Sequence, residues 1–219
     1  MRDHGRFVAL AATALVIYAL VAWLFWLPAI RVPGPGAVVS VPDCTKAAAG
    51  EPLVVPLADV PSHLIETLLQ QEDGFYHHHG VDWNQLVRAL GRNLWERRWR
   101  YGASTLTMQM VRELFLTKER SILRKLREIA YALQAEQRLS KDEILELYLN
   151  VVEWGPRIHG VGAASCYYFG VPPGALTPEE SARLVAVLPS PPRFGPALRA
   201  ESGGQRIGGP RPAPATDAQ

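Results

Sequence analysis

The sequence predicts a mainly α fold. Apolar residues recur at helical spacing, most clearly Ile122, Leu126, Ile129 and Leu133, which would line one buried stripe of a helix. Helix starts are also written into the chain. Ser140 with Glu143 forms a capping box ahead of a helix expected over Lys141–Leu149, and Thr177-Pro178-Glu179-Glu180 marks another start. Alternating runs that would make half-buried strands are few and short.

A chain of 219 residues holds one domain of ordinary size plus extras. Its formal net charge of +2 excludes little, but the charge is unevenly placed. Between Arg88 and Arg127 there are eleven Lys/Arg and three Asp/Glu, a patch suited to a phosphate group, a polyanion or an anionic membrane. Two cysteines, Cys44 and Cys166, form neither a disulfide framework nor a zinc site. They could pair in an oxidising compartment, and the sequence alone does not decide it.

Phe7–Ile30 is uncharged for 24 residues, long enough to span a bilayer as a helix. Trp23 and Trp26 suit its interface, and Arg2 and Arg6 ahead of it favour a cytoplasmic amino terminus. A cleaved signal peptide is the rival reading, but the apolar stretch is long for one and no clear cleavage site follows closely. The chain thus divides into residues 1–36 (cytoplasmic start, transmembrane anchor and Pro/Gly linker), a folded domain at 37–198 and a disordered tail at 199–219 rich in Gly, Pro and Ala.

Pro52–Val60 reads as an extended entry segment, and Pro61-Ser62 open a helix expected to run to about Asp73. That helix delivers Glu72-Asp73-Gly74-Phe75-Tyr76-His77-His78-His79-Gly80. Leu64, Ile65, Leu68 and Leu69 define its inward face. Glu72 falls near the centre of that face and Gln71 about a quarter turn away. Consecutive histidines rarely converge on one metal ion, so no metal is assigned to them. In Val81–Tyr101, Trp95, Trp99 and Tyr101 interleave with Arg97, Arg98 and Arg100. Such a mixture suits nucleic acid or a membrane interface, and the apolar span upstream favours the membrane. Next come Gly102-x-Ser104-Thr105-x-x-x-Gln109, Arg124-Lys125-x-x-Glu128 and Lys141-x-x-Ile144-Leu145-Glu146-x-Tyr148-Leu149-Asn150. Arg124, Lys125 and Glu128 share a side of their helix; on an average helix that is a solvated salt-bridged face.

These segments, in this order, resemble the four leading motifs of the family 51 glycosyltransferases, the peptidoglycan glycosyltransferases, over roughly residues 54–198. Glu153-Trp-Gly-Pro and the closing AVLPSPPRF segment are similar to the monofunctional members, the biosynthetic peptidoglycan transglycosylases. The chain departs from the family at four places. Its first motif is one residue short after Asp73, so either Glu72 or Gln71 stands at the base position, and helix phase favours Glu72. Met108 replaces a Gln, Arg112 a Lys, and Val171 the Lys often found after Phe-Gly.

The resemblance implies a lysozyme-like helical domain with a smaller membrane-facing lobe. It also implies polymerisation of lipid II, with inverting β1→4 transfer and release of polyprenyl pyrophosphate. Glu72 and Glu128 are then the catalytic carboxylates. Asp73, Phe75, His78, Gly80, Ser104, Thr105, Gln109, Arg112, Arg124 and Lys125 are substrate-binding candidates, and Glu146 and Asn150 are structural or substrate-binding. No organic cofactor is expected. A divalent cation, Mg or Mn, beside the pyrophosphate at Glu128 is the one inorganic candidate. Expected partners are lipid II, the growing strand, the cytoplasmic membrane and other wall-synthesis proteins, with no nucleic acid. A catalytically impaired scaffold and a lytic muramidase are the competing functions. A sugar leaving group needs no cations, which counts against the second.

Overall fold

The computed structural model describes residues 12–15, 18–19, 22, 44, 53–71, 74–97, 102–117, 119 and 121–202. Most of Phe7–Ile30 therefore lies outside the described residues, as do Trp99, Tyr101 and residues 203–219. Residues 12–15, 18, 19 and 22 are helical and exposed. Among the described residues no helix is long and apolar enough to cross a membrane.

The domain is mainly helical. Its helices are α1 (Ser62–Gln71), α2 (Trp83–Trp95), α3 (Leu106–Phe115), α4 (Ile122–Glu136), α5 (Lys141–Val151), α6 (Val161–Phe169), α7 (Pro178–Val185) and α8 (Pro191–Glu201). A short hairpin of β1 (Glu153–Gly155) and β2 (Ile158–His159) sits between α5 and α6, antiparallel, with Glu153 opposite His159. The starts agree with the capping signals. Ser140 and Glu143 make a complete capping box on α5, and Thr177 and Glu180 make one on α7, with Pro178 in its first turn.

The helix α3 is central, packed against both α4 and α5. It suits that place because LTMQMV buries Leu106, Thr107, Met108, Met110 and Val111 in succession. Around it the core continues through Leu64 and Leu68 of α1, Ile144, Leu145, Tyr148 and Leu149 of α5, and Trp154 of β1. Helix α1 packs on α7, and α8 on β1.

The stripe expected to be buried on α4 is buried only in part, with Ile129 and Leu133 packed against the core. Ile122 is 77% exposed, while Leu126, Ile129 and Leu133 are half-buried. The buried side carries Glu128, Tyr131, Ala132 and Ala135, roughly 140° round the helix at about 100° per residue. Small alanines let α4 approach α3 closely, and the charge of Glu128 is met by local cations. An inward face of this composition has no apolar period for the sequence to display.

The entry segment is held by side chains. Asn150 on α5 accepts from the Val55 backbone N–H and donates to the Val55 carbonyl, both at 2.8 Å. Glu146, one turn earlier, accepts from the Leu57 N–H at 2.8 Å. Further upstream, Cys44 and Cys166 form a disulfide with Cα atoms 5.3 Å apart, which ties Cys44 to α6. At the other end α8 runs to Glu201, so the expected start of the tail at Arg199 falls inside a helix. Arg199 lies over the Tyr167 ring at 4.5 Å and donates to the Tyr167 carbonyl.

Candidate active site

Two N-caps set the geometry of the polar cluster. Ser121 caps α4 by accepting from the Arg124 N–H at 3.1 Å. Thr105 caps α3 by accepting from the Met108 N–H at 3.2 Å. The first turn of α4 then presents Arg124 and Lys125, and the next turn presents Glu128 on the same side. Glu128 has no exposed side-chain surface. Arg124 grips one of its oxygens, and Lys125 Nζ donates to the other at 2.8 Å. Ser104, in the loop before α3, donates to Glu128 at 3.1 Å and accepts from Lys125 at 2.6 Å. Gln109 reaches back to the Ser104 carbonyl at 3.2 Å and accepts from the Tyr148 hydroxyl at 3.4 Å.

Burial alone would raise the Glu128 carboxyl. The hydrogen bonds and charges of Lys125 and Arg124, with Arg112 behind them, outweigh it and hold the group below the ordinary glutamate range. Burial is likewise the main force lowering Lys125, reinforced by the like charges of Arg124 and Arg112 and opposed by Glu128. Arg112 is itself paired with Glu113 at 3.4 Å. Lys125, Arg124 and Arg112 thus face two carboxylates, Glu128 and Glu113, so one positive charge remains in excess in a half-buried setting. That arrangement suits an anion, and a phosphate oxygen above all.

The first-motif loop lies beside this cluster. Gly74 adopts φ +93°, a conformation that favours glycine, and starts the turn Phe75–His77. Gln71 ends α1 exposed to solvent, whereas Leu64 and Leu68 are fully buried. Glu72 and Asp73 lie outside the described residues. Phe75 is buried and meets the His78 ring edge-on at 6.5 Å. His78 is shifted down, first by burial and then by the nearby Lys141 charge. Gly80, at φ +79°, fits where a Cβ would stand 2.9 Å from the Ala132 carbonyl oxygen, and its own carbonyl accepts from Thr105 Oγ1 at 2.6 Å.

Ser104, Thr105, Gln109, Arg112, Arg124, Lys125 and Glu128 therefore converge at the facing ends of α3 and α4. Thr105 links them to the loop bearing Phe75, His78 and Gly80. Glu146 and Asn150 instead bond the entry segment, and Met108 is fully buried core. Three charged or polar residues absent from the sequence-derived set also stand here. Lys141, Glu136 and Thr107 form a connected cluster under the loop. Lys141 lies in a recognised motif, and that was the available signal; Glu136 and Thr107 carried none. Among the described residues no group of three or more His, Cys, Asp or Glu side chains could hold a metal ion.

A family model described as Transglycosylase matches residues 43–208. The chain is 42% identical over 153 residues to the biosynthetic peptidoglycan transglycosylase of Azoarcus sp. (strain BH72), covering 68% of this chain and 66% of that one. It is 37% identical over 198 residues to the protein of the same description from Brucella suis biovar 1 (strain 1330), covering 88% and 87%. It is 39% identical over 170 residues to penicillin-binding protein 1A of Escherichia coli (strain K12), covering 76% of this chain but 20% of that one. The chain thus spans just under two thirds of the Azoarcus relative and most of the Brucella one.

Proposed function

The chain belongs to the transglycosylase family, and from that membership we propose that it polymerises lipid II into glycan strands for the bacterial cell wall, as a membrane-anchored peptidoglycan glycosyltransferase of lysozyme-like fold. The observation that carries the chemistry is the cation cluster around buried Glu128. Inverting transfer from an α-linked pyrophosphate needs a base for the attacking hydroxyl and a counter-charge for the leaving group. Pyrophosphate is a good leaving group once its charge is met. Arg124 and Lys125, backed by Arg112, supply that charge, and Glu128 with Ser104 holds them in place. Glu72 is the base. Its support is helix phase: Leu64, Ile65, Leu68 and Leu69 pack on the core, and the centre of that face falls near position 72, while Gln71, the alternative, ends α1 exposed to solvent.

A divalent ion fits the described donor set poorly. Both oxygens of Glu128 are already held by Arg124, Lys125 and Ser104, and Glu113 is paired with Arg112. No step is therefore routed through a metal. The membrane reading is supported by α2, where Trp83, Val87, Leu90 and Leu94 recur at helical spacing and are 47–68% exposed. Trp95 at its end is 90% exposed. We assign this face to the smaller, membrane-facing lobe. The Cys44–Cys166 disulfide suits a domain held outside the cytoplasm, with Phe7–Ile30 as the anchor.

The test is lipid II polymerisation in detergent by the unmodified protein, by Glu72→Gln and by Gln71→Ala. Loss of a general base should cost about a hundred- to ten-thousand-fold, so Glu72→Gln should make no measurable polymer while keeping its thermal transition. Gln71→Ala should keep most activity. An unmodified protein that binds lipid II yet makes no polymer would refute the assignment in favour of a scaffold.

A further inference from the structure

Among the described residues of the loop that follows Glu72, the backbone turn bond is that of Gly74 with His77. Side-chain contacts also hold it: Thr105, the cap of α3, donates to the Gly80 carbonyl at 2.6 Å, and the Tyr76 hydroxyl donates to Asp142 at 3.3 Å. Lys141, the first residue of α5, donates to the His78 carbonyl at 2.6 Å and to Glu136 at 2.8 Å. Its ammonium lies 4.6 Å from the centroid of the Phe75 ring, a cation–π contact in a largely desolvated place. Glu136, the last residue of α4, also accepts from Thr107 of α3 at 2.7 Å. The Lys141 and Glu136 side chains are only 19% and 6% exposed. An ordinary surface ion pair would not be buried this way, nor would it spend a donor on a loop carbonyl.

We propose that Lys141 is a positioning residue for glycosyl transfer: seated by Glu136 and Thr107, its ammonium fixes the course of Phe75–Gly80 and thereby the placement of the Glu72 that precedes them. The inference rests on the polymerase reading above. Three features of the seat argue for placement over simple stability. First, the ammonium binds the loop's backbone, so it constrains the chain's path and not merely one side chain. Second, it caps the ring of Phe75, which is buried next to Gly74 and so sits two residues from Asp73. Third, the carboxylate that seats it comes from the same helix as Glu128, which couples the loop to the leaving-group cluster through α4. A carboxylate base is sensitive to such placement, since a displacement of about 1 Å can cost on the order of a hundredfold.

The experiment compares the full-length protein with Lys141→Met and Lys141→Arg. It measures kcat and KM for lipid II in detergent together with amide hydrogen exchange along the chain. Lys141→Met should lower kcat about ten- to a hundredfold with KM changed by less than about threefold, because the pyrophosphate cations are untouched. Its exchange should quicken across residues 74–80 and stay at the parental rate in α6 and α7. Lys141→Arg, which keeps the charge and can reach the same acceptors, should recover most of kcat. A Lys141→Met protein with parental kcat overturns the inference. So does exchange that quickens evenly over the whole domain, which would make Lys141 a general staple. If Lys141→Met does not fold, Glu136→Gln, which keeps an acceptor for Thr107 but removes the ammonium's counter-charge, should give the same pattern. A parent protein that makes no polymer sinks the polymerase reading instead. The exchange comparison then decides by itself whether Lys141 holds the loop.

Discussion

At the scale of single residues, the leaving-group site makes the sharpest claim. Arg124 and Lys125 both bond Glu128, so deleting either has two separable effects. Glu128 keeps its other cation and Ser104, and the fold should lose little. The departing pyrophosphate, however, loses a charge-assisted donor at the moment its charge grows. Arg124→Ala or Lys125→Ala should therefore lower turnover on the order of a hundredfold or more while the thermal transition barely moves. Parental turnover in both variants would reduce the cluster to a structural ion pair. Glu128→Ala should behave differently, because it leaves Arg124 and Lys125 without the carboxylate that gathers them. Burial of this carboxylate was the residue-level surprise. The i, i+3 and i, i+4 spacing of the trio was legible in the sequence. Its inward orientation was not, because a buried Glu met by cations reads the same as a solvated salt bridge.

At the scale of elements, helix starts were legible because capping is local: Ser140 with Glu143 and Thr177 with Glu180 need no distant partner. The inward face of α4 was not, since alanines, Tyr131 and one carboxylate occupy it while the apolar stripe is only partly buried at its edge. The roles of Glu146 and Asn150 were undetermined for a different reason. Their partners, Leu57 and Val55, lie 89 and 95 residues away in sequence, beyond any local pattern. Their geometry gives a prediction. Asn150→Ala leaves two part-buried backbone groups of Val55 unpaired, which should cost about 1–3 kcal/mol of stability, read as a lower denaturation midpoint. Its kcat below that midpoint should stay near parental. A folded Asn150→Ala protein with kcat reduced a hundredfold would return Asn150 to the substrate site. For α2 the question is what its exposed stripe touches. If it docks on lipid, Leu90→Glu with Leu94→Glu removes apolar burial of roughly 1.5–3 kcal/mol per side chain. Turnover on lipid II in vesicles should fall by on the order of tenfold, while turnover on detergent-dispersed lipid II stays within about twofold. Equal losses in both media would mean that the stripe serves the fold or the site itself.

At the scale of the whole molecule, the motif order pointed to the family, and helical spacing and caps pointed to the mainly helical class. The long-range tie from ahead of the entry segment to α6 was beyond both. Cys44 and Cys166 are 122 residues apart, and the sequence left open whether they pair. Their disulfide closes the chain from ahead of the entry segment to α6 into one covalent loop that leaves α7 and α8 outside it, with Leu53 packed beside it as a small satellite of the main core. The same region receives Val55 and Leu57 on α5, so covalent and hydrogen-bonded ties converge on the entry segment. In the chain-entropy account a loop of this length stabilises the fold by roughly 5 kcal/mol at most, acting on the unfolded chain and not on the site. Reduction should therefore lower the thermal midpoint by on the order of 10 °C for a domain of this size, and kcat measured well below the midpoint should be unchanged. Cys44→Ser with Cys166→Ser should match the reduced parent and become indifferent to reductant. A parent whose midpoint does not respond to reductant would show that the bond does not form in the folded protein. Unchanged stability together with lost activity would mean that the tie acts on the catalytic cleft and not on the fold.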